Sequence, residues 1–290
     1  MTSKNGVNGV SVGVVGIGCV GSAVLKFFQE AVAADTSYET WTEHSPVVGY
    51  DKFKQEFKST FDKLLEQDFL FLCLPTLYSD ELKQYDKTAI HDVCGRLNEA
   101  RYTGLVIIKS TVEPGTTEKL STLYDCLHFA HNPEFLTART AYEDFMNQTH
   151  VVIGRTTKCN SQKINELDQL MRECWPNATH TMSTSTESES MKSFCNCFYA
   201  QKISIFNEYY VACKKMGIDY EKVVEMMLTN GWINEMHTNV PGPDGKMGYG
   251  GMCFPKDTSA LYQFLKREKL PHRLIEASVT ENEELRDRKF

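Results

Sequence analysis

What the chain lacks narrows its possible roles first. No apolar run approaches the roughly 18 residues that a membrane-spanning helix needs, so no membrane span is expected. Residues 1–9 have neither a basic start nor an apolar core, and they read as a short disordered lead-in and not as a secretory signal. Positive charge is not in excess: 31 Lys and Arg stand against 38 Asp and Glu, a formal net charge of −7. That balance gives no electrostatic footprint for nucleic acid or for an anionic membrane surface. Internal repeats and heptads are absent, which argues against solenoids and coiled coils. Ten cysteines are present, yet none forms a CxxC pair, and some lie inside apolar runs, as Cys73 does in 69–74. Reduced thiols and a cytoplasmic setting are therefore expected. Cys195 and Cys197 lie two apart in a helical pattern and point to different faces, so no metal is expected there.

What is present suffices for one large or two moderate domains. Residues 10–15 are a short run rich in β-branched side chains, read as a buried strand. They lead directly into Gly16-Ile17-Gly18-Cys19-Val20-Gly21, and a helical pattern follows to about residue 33. A glycine fingerprint between a strand and a helix points to a dinucleotide. Gly16 would make the tight turn, Gly18 would admit the pyrophosphate, and Gly21 would let helix and strand pack closely. A tight turn without a ligand is the competing reading. Residues 47–51 read as the second strand, ending in Asp51. A carboxylate there suits a ribose 2′-hydroxyl and disfavours a 2′-phosphate, hence NAD over NADP. An ordinary turn aspartate is the alternative. The gap from the glycines exceeds the usual ~20 residues, which requires 34–46 to be an inserted loop.

Apolar runs recur at 69–74, 105–108, 128–130 and 151–153, with helical stretches such as 61–67, 116–124 and 161–173. Strands alternating with helices predict βαβ units, that is, an α/β fold with a Rossmann-type, doubly wound parallel sheet. Ligands bind at the carboxyl ends of such strands, which singles out Pro75-Thr76, Ser110-Thr111 and Asn132-Pro133-Glu134. The Ser/Thr/Glu-rich residues 183–190 predict a linker, dividing the chain into a cofactor domain, 1–185, and an all-α domain, 186–290. A long central helix, 191 to about 216, places Lys192 and Asn196 on one face, where spacing alone favours a solvated lysine and a surface amide. Gly217 suits its stop, and Asp219 can cap the next helix.

Reactive chemistry is best placed in Gly248-Tyr249-Gly250-Gly251-Met252-Cys253-Phe254-Pro255-Lys256-Asp257. The glycines let a substrate approach the backbone, and Pro255 suits the first turn of a helix. A helix N-terminus and a neighbouring Lys256 both favour a thiolate. Cys253 is thus a candidate nucleophile, with a buried packing cysteine as the alternative. The other nine cysteines are expected to pack in the interior.

Taken in order, GIGCVG (16–21), FLCLPT (71–76), VIIKSTVEPGTT (106–117), HNPEFL (131–136), MKSFCNCFYAQKISIFNE (191–208) and GYGGMCFPKD (248–257) carry a resemblance. With these stretches the chain resembles the nucleotide-sugar dehydrogenases, which oxidise a sugar C6 alcohol to a carboxylate with two molecules of NAD. The resemblance implies that Cys253 captures the aldehyde as a thiohemiacetal that becomes a thioester. It gives Lys192 and Asn196 the developing oxyanion, Asp257 and Thr111 a positioned water, and Glu134 the thioester hydrolysis. On the cofactor side it implies Gly16, Gly18, Cys19, Val20, Gly21, Asp51, Pro75, Thr76, Thr111 and Lys256. On the substrate side it implies Glu134, Phe135, Leu136, Lys192, Asn196, Tyr249, Gly250 and Gly251. It further implies a homodimer through 191–216. UDP-glucose is the default substrate, with GDP-mannose and UDP-N-acetylhexosamines as alternatives.

The departures are specific. An acidic residue usual after HNPEFL is replaced at Ala138, and a usual Arg-Ile-Gly is replaced by Trp232-Ile233-Asn234, with Lys246 a candidate to supply the lost charge. The family's third, nucleotide-binding domain has no counterpart before residue 290, which fits a short form or a fragment. Two other classes remain open: a two-electron hydroxyacid dehydrogenase, which would not need Cys253, and a weakly catalytic, regulatory NAD-binding protein.

Overall fold

The computed structural model describes residues 10–33 and 47–287; the expected lead-in 1–9 and inserted loop 34–46 lie outside the described residues. In chain order the elements begin β1 (Val12–Val15), α1 (Cys19–Ala33), β2 (Val47–Tyr50), α2 (Phe61–Leu64) and β3 (Phe69–Leu72). There follow β4 (Tyr78–Ser79), β5 (Gln84–Tyr85), α3 (Thr88–Glu99), β6 (Leu105–Ile108), α4 (Thr116–Leu123) and β7 (His128–His131). Then come α5 (Ala141–Met146), β8 (His150–Arg155), α6 (Ser161–Cys174), β9 (Thr179–Thr184) and α7 (Ser185–Met216). The chain closes with α8 (Tyr220–Thr229), α9 (Phe254–Arg267) and α10 (Arg273–Asp287).

Among the described residues seven strands form one sheet in the order β2-β1-β3-β6-β7-β8-β9. Every neighbouring pair is parallel except β7 and β8. The central strands are apolar at every position because both faces are covered. Side-chain alternation sends Phe69, Phe71, Leu105 and Ile107 into one core with α1, α5 and α6. Leu70, Leu72, Val106 and Ile108 enter a second core with α2, α3 and α4. The sheet is thus doubly wound, as the alternation of runs predicts.

The chain condenses into two compact units. Of the described residues, one comprises those within Met1–Thr76 and Asp86–Met191, the other those within Leu77–Tyr85 and Lys192–Phe290. The sheet belongs to the first. In the second, Phe206, Cys213, Tyr220, Val224, Val240, Met247 and Leu285 form one core, and Cys197, Leu261 and Ile275 a smaller one. The antiparallel hairpin of β4 and β5 joins this helical unit although it comes from the first third of the sequence.

The stretch 183–190 is not a linker. It is the end of β9 and the first turns of α7. Thr184 and Glu187 form a reciprocal cap: the Thr184 N–H donates to Glu187 Oε2 at 2.8 Å and the Glu187 N–H to Thr184 Oγ1 at 3.2 Å. Its serines face a close neighbour. A Cβ at Gly154 of β8 would lie 2.7 Å from the Ser188 Cβ, so helix and strand meet where both residues are small. Beyond α7, Gly217 takes φ +69° and the Asp219 side chain accepts from the Lys222 N–H, the stop and the start that the sequence predicts.

Candidate cofactor and catalytic sites

In the sheet unit the glycine fingerprint adopts three distinct geometries. Gly16 lies at φ +86°, and a Cβ there would press to 2.7 Å from the Cys73 carbonyl oxygen. At Gly21 a Cβ would overlap the Gly16 carbonyl oxygen. Around Gly18 a Cβ would meet nothing within 4 Å. The first and third positions are closed by backbone, while the second is open at the N-terminus of the 15-residue helix α1. That pattern fits a dinucleotide whose pyrophosphate approaches the loop and the helix end. Cys19 is exposed and Val20 partly buried in the first turn of α1.

Asp51 follows β2 and braces this loop. Its carboxylate accepts from the N–H groups of Ile17 and Phe53 at 2.9 Å and of Lys54 at 3.2 Å. Burial opposes its ionisation, but those donors and the Lys54 charge prevail and hold the carboxyl below its usual range. Lys54 closes the arrangement by donating to the Ile17 carbonyl at 2.6 Å.

Of the other predicted cofactor-side residues, Pro75, Thr76 and Thr111 follow the carboxyl ends of neighbouring parallel strands, whereas Lys256 lies on α9 of the helical unit. Pro75 is exposed and Thr76 buried after β3, and the Thr76 hydroxyl donates to the Thr111 carbonyl after β6 at 2.7 Å. After β7, Glu134 Oε2 accepts from the Leu136 N–H at 2.7 Å, and Phe135 stacks on His150. Ala138 is exposed, and its carbonyl accepts from the Cys19 thiol at 3.6 Å.

Among the buried ionisable groups of this unit, Lys109 and Glu189 escape sequence reasoning. Lys109, 2% exposed, donates to Asn132 Oδ1 at 2.8 Å. Glu189, 1% exposed, accepts from the N–H groups of Gly115 and Thr117 and from the Thr117 hydroxyl, covering the start of α4. Burial pushes its carboxyl up to about 7 despite those bonds. Neither has a sequence signal, because a lysine after a strand and a glutamate in a polar run are usually solvated.

In the helical unit the reactive cluster sits at the start of α9. Cys253 is the exposed N-cap residue, with Pro255 in the first turn. Its carbonyl accepts from the Asp257 N–H at 3.0 Å. Asp257 is fully buried: Oδ2 accepts from Asn196 at 2.6 Å, and Oδ1 from Lys256 at 2.5 Å and from the Tyr85 hydroxyl at 2.6 Å. Lys192 and Asn196 of α7 are both buried. The structure thus brings Asn196, Lys256 and Asp257 together and adds Tyr85, which nothing in its polar surroundings marks.

The glycine-rich loop before Cys253 is braced from α7 and α10. The Gly248 N–H donates to Asn207 Oδ1 at 2.9 Å and the Tyr249 N–H to Asn282 Oδ1 at 2.7 Å. Tyr249 is itself buried, its hydroxyl donating to the Ser278 carbonyl. A Cβ at Gly250 would meet the Arg286 guanidinium at 2.9 Å, whereas Gly251 is open at φ +77°. Where the resemblance expects an arginine, Trp232 is 90% exposed. Lys202 ties down this loop by donating to the carbonyls of Asn234 and Met236, both at 2.7 Å. Lys246 is exposed.

Most of the remaining cysteines pack as expected. Burial pushes Cys73, Cys94 and Cys174 up to about 12 and Cys159 to about 11. Cys19 and Cys126 depart from that expectation: both are exposed, one at the first turn of α1 and one in the loop after α4. Among the described residues no group of three or more His, Cys, Asp or Glu could hold a metal ion. Among them, too, no helix is long and apolar enough to cross a membrane.

Comparison with known proteins finds two domains of one family along the sequence. The NAD-binding domain of the UDP-glucose/GDP-mannose dehydrogenase family matches residues 46–172, and the central domain of the same family matches 186–284. A UDP-glucose 6-dehydrogenase of Haloferax volcanii is 30% identical over 239 residues, covering 77% of this chain and 54% of that protein. A UDP-glucose 6-dehydrogenase of Bacillus subtilis is 32% identical over 210 residues, covering 70% and 42%. The chain spans about half the length of these curated relatives. A UDP-glucose dehydrogenase structure from Pyrobaculum islandicum superposes with a TM-score of 0.79 at 23% identity, over 98% of this chain and 70% of that one. The fold is shared more widely: a 3-hydroxyisobutyrate dehydrogenase of Mycobacterium tuberculosis reaches 0.69 at 15% identity, over 93% and 91%. Two consecutive domains of one family therefore account for most of the sequence, and the chain belongs to the UDP-glucose/GDP-mannose dehydrogenase family.

Proposed function

We propose that the protein oxidises the C6 alcohol of a nucleotide sugar to a carboxylate in two NAD-dependent steps, with UDP-glucose as substrate. The observation that carries this reading is Cys253 exposed at the start of α9, one helical turn from a buried Asp257 held by Asn196. Labour is divided between a cofactor domain, 1–185, and a helical catalytic domain, 186–290.

NAD, when bound at the glycine loop of α1, supplies the hydride acceptor. The residues do the rest. Oxidising one carbon twice needs an aldehyde that cannot diffuse away, and covalent capture by a thiolate provides that. The Cys253 sulfur adds to the aldehyde carbon, and the thiohemiacetal oxygen carries the developing negative charge. Lys192 and Asn196, fixed by packing on α7, are a preorganised cation and amide donor for that oxygen. Loss of a second hydride leaves a thioester. Glu134 takes a proton from the attacking water, Thr111 and Asp257 position it, and the thiolate departs as the uronate forms. Thr76, Pro75, Asp51 and Lys256 act on the cofactor side, and Phe135, Leu136, Tyr249, Gly250 and Gly251 shape the sugar site. GDP-mannose and UDP-N-acetylhexosamines are the alternative substrates, since the sequence does not fix the residues that read the sugar.

The protein works in the cytoplasm as a homodimer through 191–216. Phe194, Phe198, Ile205 and Tyr209, spaced four, seven and four residues apart, form an exposed apolar stripe on α7 that supports this pairing. Sedimentation as a monomer at micromolar concentration would count against it.

The primary test is the amount of NADH formed per UDP-glucose consumed. Two NADH per sugar with uronate as product is expected. One NADH overturns the four-electron reaction. None with UDP-glucose, but two with GDP-mannose or an amino sugar, reassigns the substrate.

A further inference from the structure

The hairpin of β4 and β5 is two residues per strand, too small to be a core element of its own. It nevertheless places Tyr85 at 1% exposure in the helical unit, 172 residues in sequence from the group its hydroxyl meets. That group is Asp257, and its carboxylate is crowded. Oδ1 takes the Tyr85 hydroxyl at 2.6 Å and the Lys256 ammonium at 2.5 Å, while Oδ2 takes the Asn196 amide at 2.6 Å. Lys256 also lies over the Tyr85 ring, 4.9 Å from its centroid. A carboxylate offers about four lone-pair sites. Three donors therefore leave about one acceptor site, on the oxygen that Asn196 shares.

We infer that Tyr85 is a positioning residue for the reaction: together with Lys256 it saturates Asp257 Oδ1, so that Oδ2 alone is left to accept from the water that Asp257 positions. This rests on the dehydrogenase reading above. Tyr85 is fully buried and acts through Asp257; it does not touch the sugar. The ring supplies a second constraint, because it packs beside the Lys256 ammonium and fixes the direction from which that cation reaches Oδ1.

The test uses the full chain with Tyr85→Phe, which keeps the ring and removes only the hydroxyl. Tyr102→Phe is the control: Tyr102 is also buried, and its hydroxyl donates to the Gln67 carbonyl at 2.8 Å and not to Asp257. Both variants are expected to lose similar thermal stability. Tyr85→Phe alone is expected to lower kcat roughly 10- to 100-fold, the worth of one hydrogen bond to a charged group, with KM for sugar and NAD within about twofold. Should Tyr85→Phe not fold, 3-fluorotyrosine at position 85 keeps the contact and alters the hydroxyl acidity; a change in kcat at fixed KM is again expected. Wild-type turnover with kcat unaltered in the folded position-85 protein overturns the inference alone. A kcat loss equal in both Phe variants assigns the effect to general loosening and also overturns it. Absence of wild-type turnover with any nucleotide sugar overturns the dehydrogenase reading, and the inference with it.

Discussion

Among the described residues, the glycine-rich loops that lead into α1 and α9 are held differently. The loop at 16–21 is closed at its glycines by main chain, since the Gly16 N–H donates to the Tyr50 carbonyl and added Cβ atoms at Gly16 or Gly21 would strike backbone oxygens, with the Asp51 and Lys54 side chains holding only Ile17. The loop at 248–253 is shaped by side chains from distant helices, Asn207, Asn282 and Arg286. Main-chain bracing depends on backbone geometry alone, so a short motif carries it. Side-chain bracing depends on three residues that no local pattern connects to the loop. The difference does not simply follow the two units, since Glu189 braces the start of α4 inside the sheet unit from 72 residues away.

The largest expected effect is at the end of the second loop. Cys253→Ser is expected to lower uronate formation on the order of 10³-fold or more while leaving NAD affinity unchanged. Normal acid production would remove the covalent mechanism. In the first loop, Gly21→Ala is expected to destabilise the fold by about 1–3 kcal/mol or more, because the Gly16 carbonyl cannot yield without moving β1 from α1. Thermal unfolding measures it, and an unchanged Tm would show that the loop can relax.

Glu189 tests remote bracing through pH. Its folded-state carboxyl is raised to about 7 by burial. A raised value contributes stability that is full below the unfolded pKa and is lost as pH rises through about 7. Relative to Glu189→Gln, the wild-type protein is therefore expected to lose about 2–3 kcal/mol between roughly pH 5 and pH 8. Parallel stability curves for the two proteins would exclude that titration.

Asn282→Ala leaves the buried Tyr249 N–H without its acceptor, an expected cost of about 1–3 kcal/mol. It should lower kcat and spare NAD binding, and loss of NAD affinity instead would contradict the assignment of that loop to catalysis. The smallest stability effect belongs to Gly18→Ala, under about 0.5 kcal/mol, since the site is open. Its NAD affinity should nevertheless fall tenfold or more, and unchanged affinity would detach the cofactor from this loop.

Elements whose energetics are local are legible in the sequence. β1, β3 and β6 are apolar at every position, and Asp219 caps α8 as a short polar side chain before a helix should. β9 is not legible there. It is an edge strand of mostly exposed polar residues, so it carries neither a continuous apolar run nor alternation. The stretch 183–190 misleads for a related reason, because composition alone cannot distinguish a solvated linker from a capped helix start packed against Gly154.

By itself the sequence determined the doubly wound sheet, the glycine turn into α1, the long helix and the position of Cys253 at a helix start. Each follows from periodicity or from backbone demands within a few residues. Only the tertiary structure decided that Tyr85, Asn196 and Lys256 share Asp257, that Asn282 and Arg286 hold the loop before Cys253, and that Glu189 covers α4. A buried polar group takes whatever partner the packing brings within about 3 Å. Sequence distance places no limit on which partner that is.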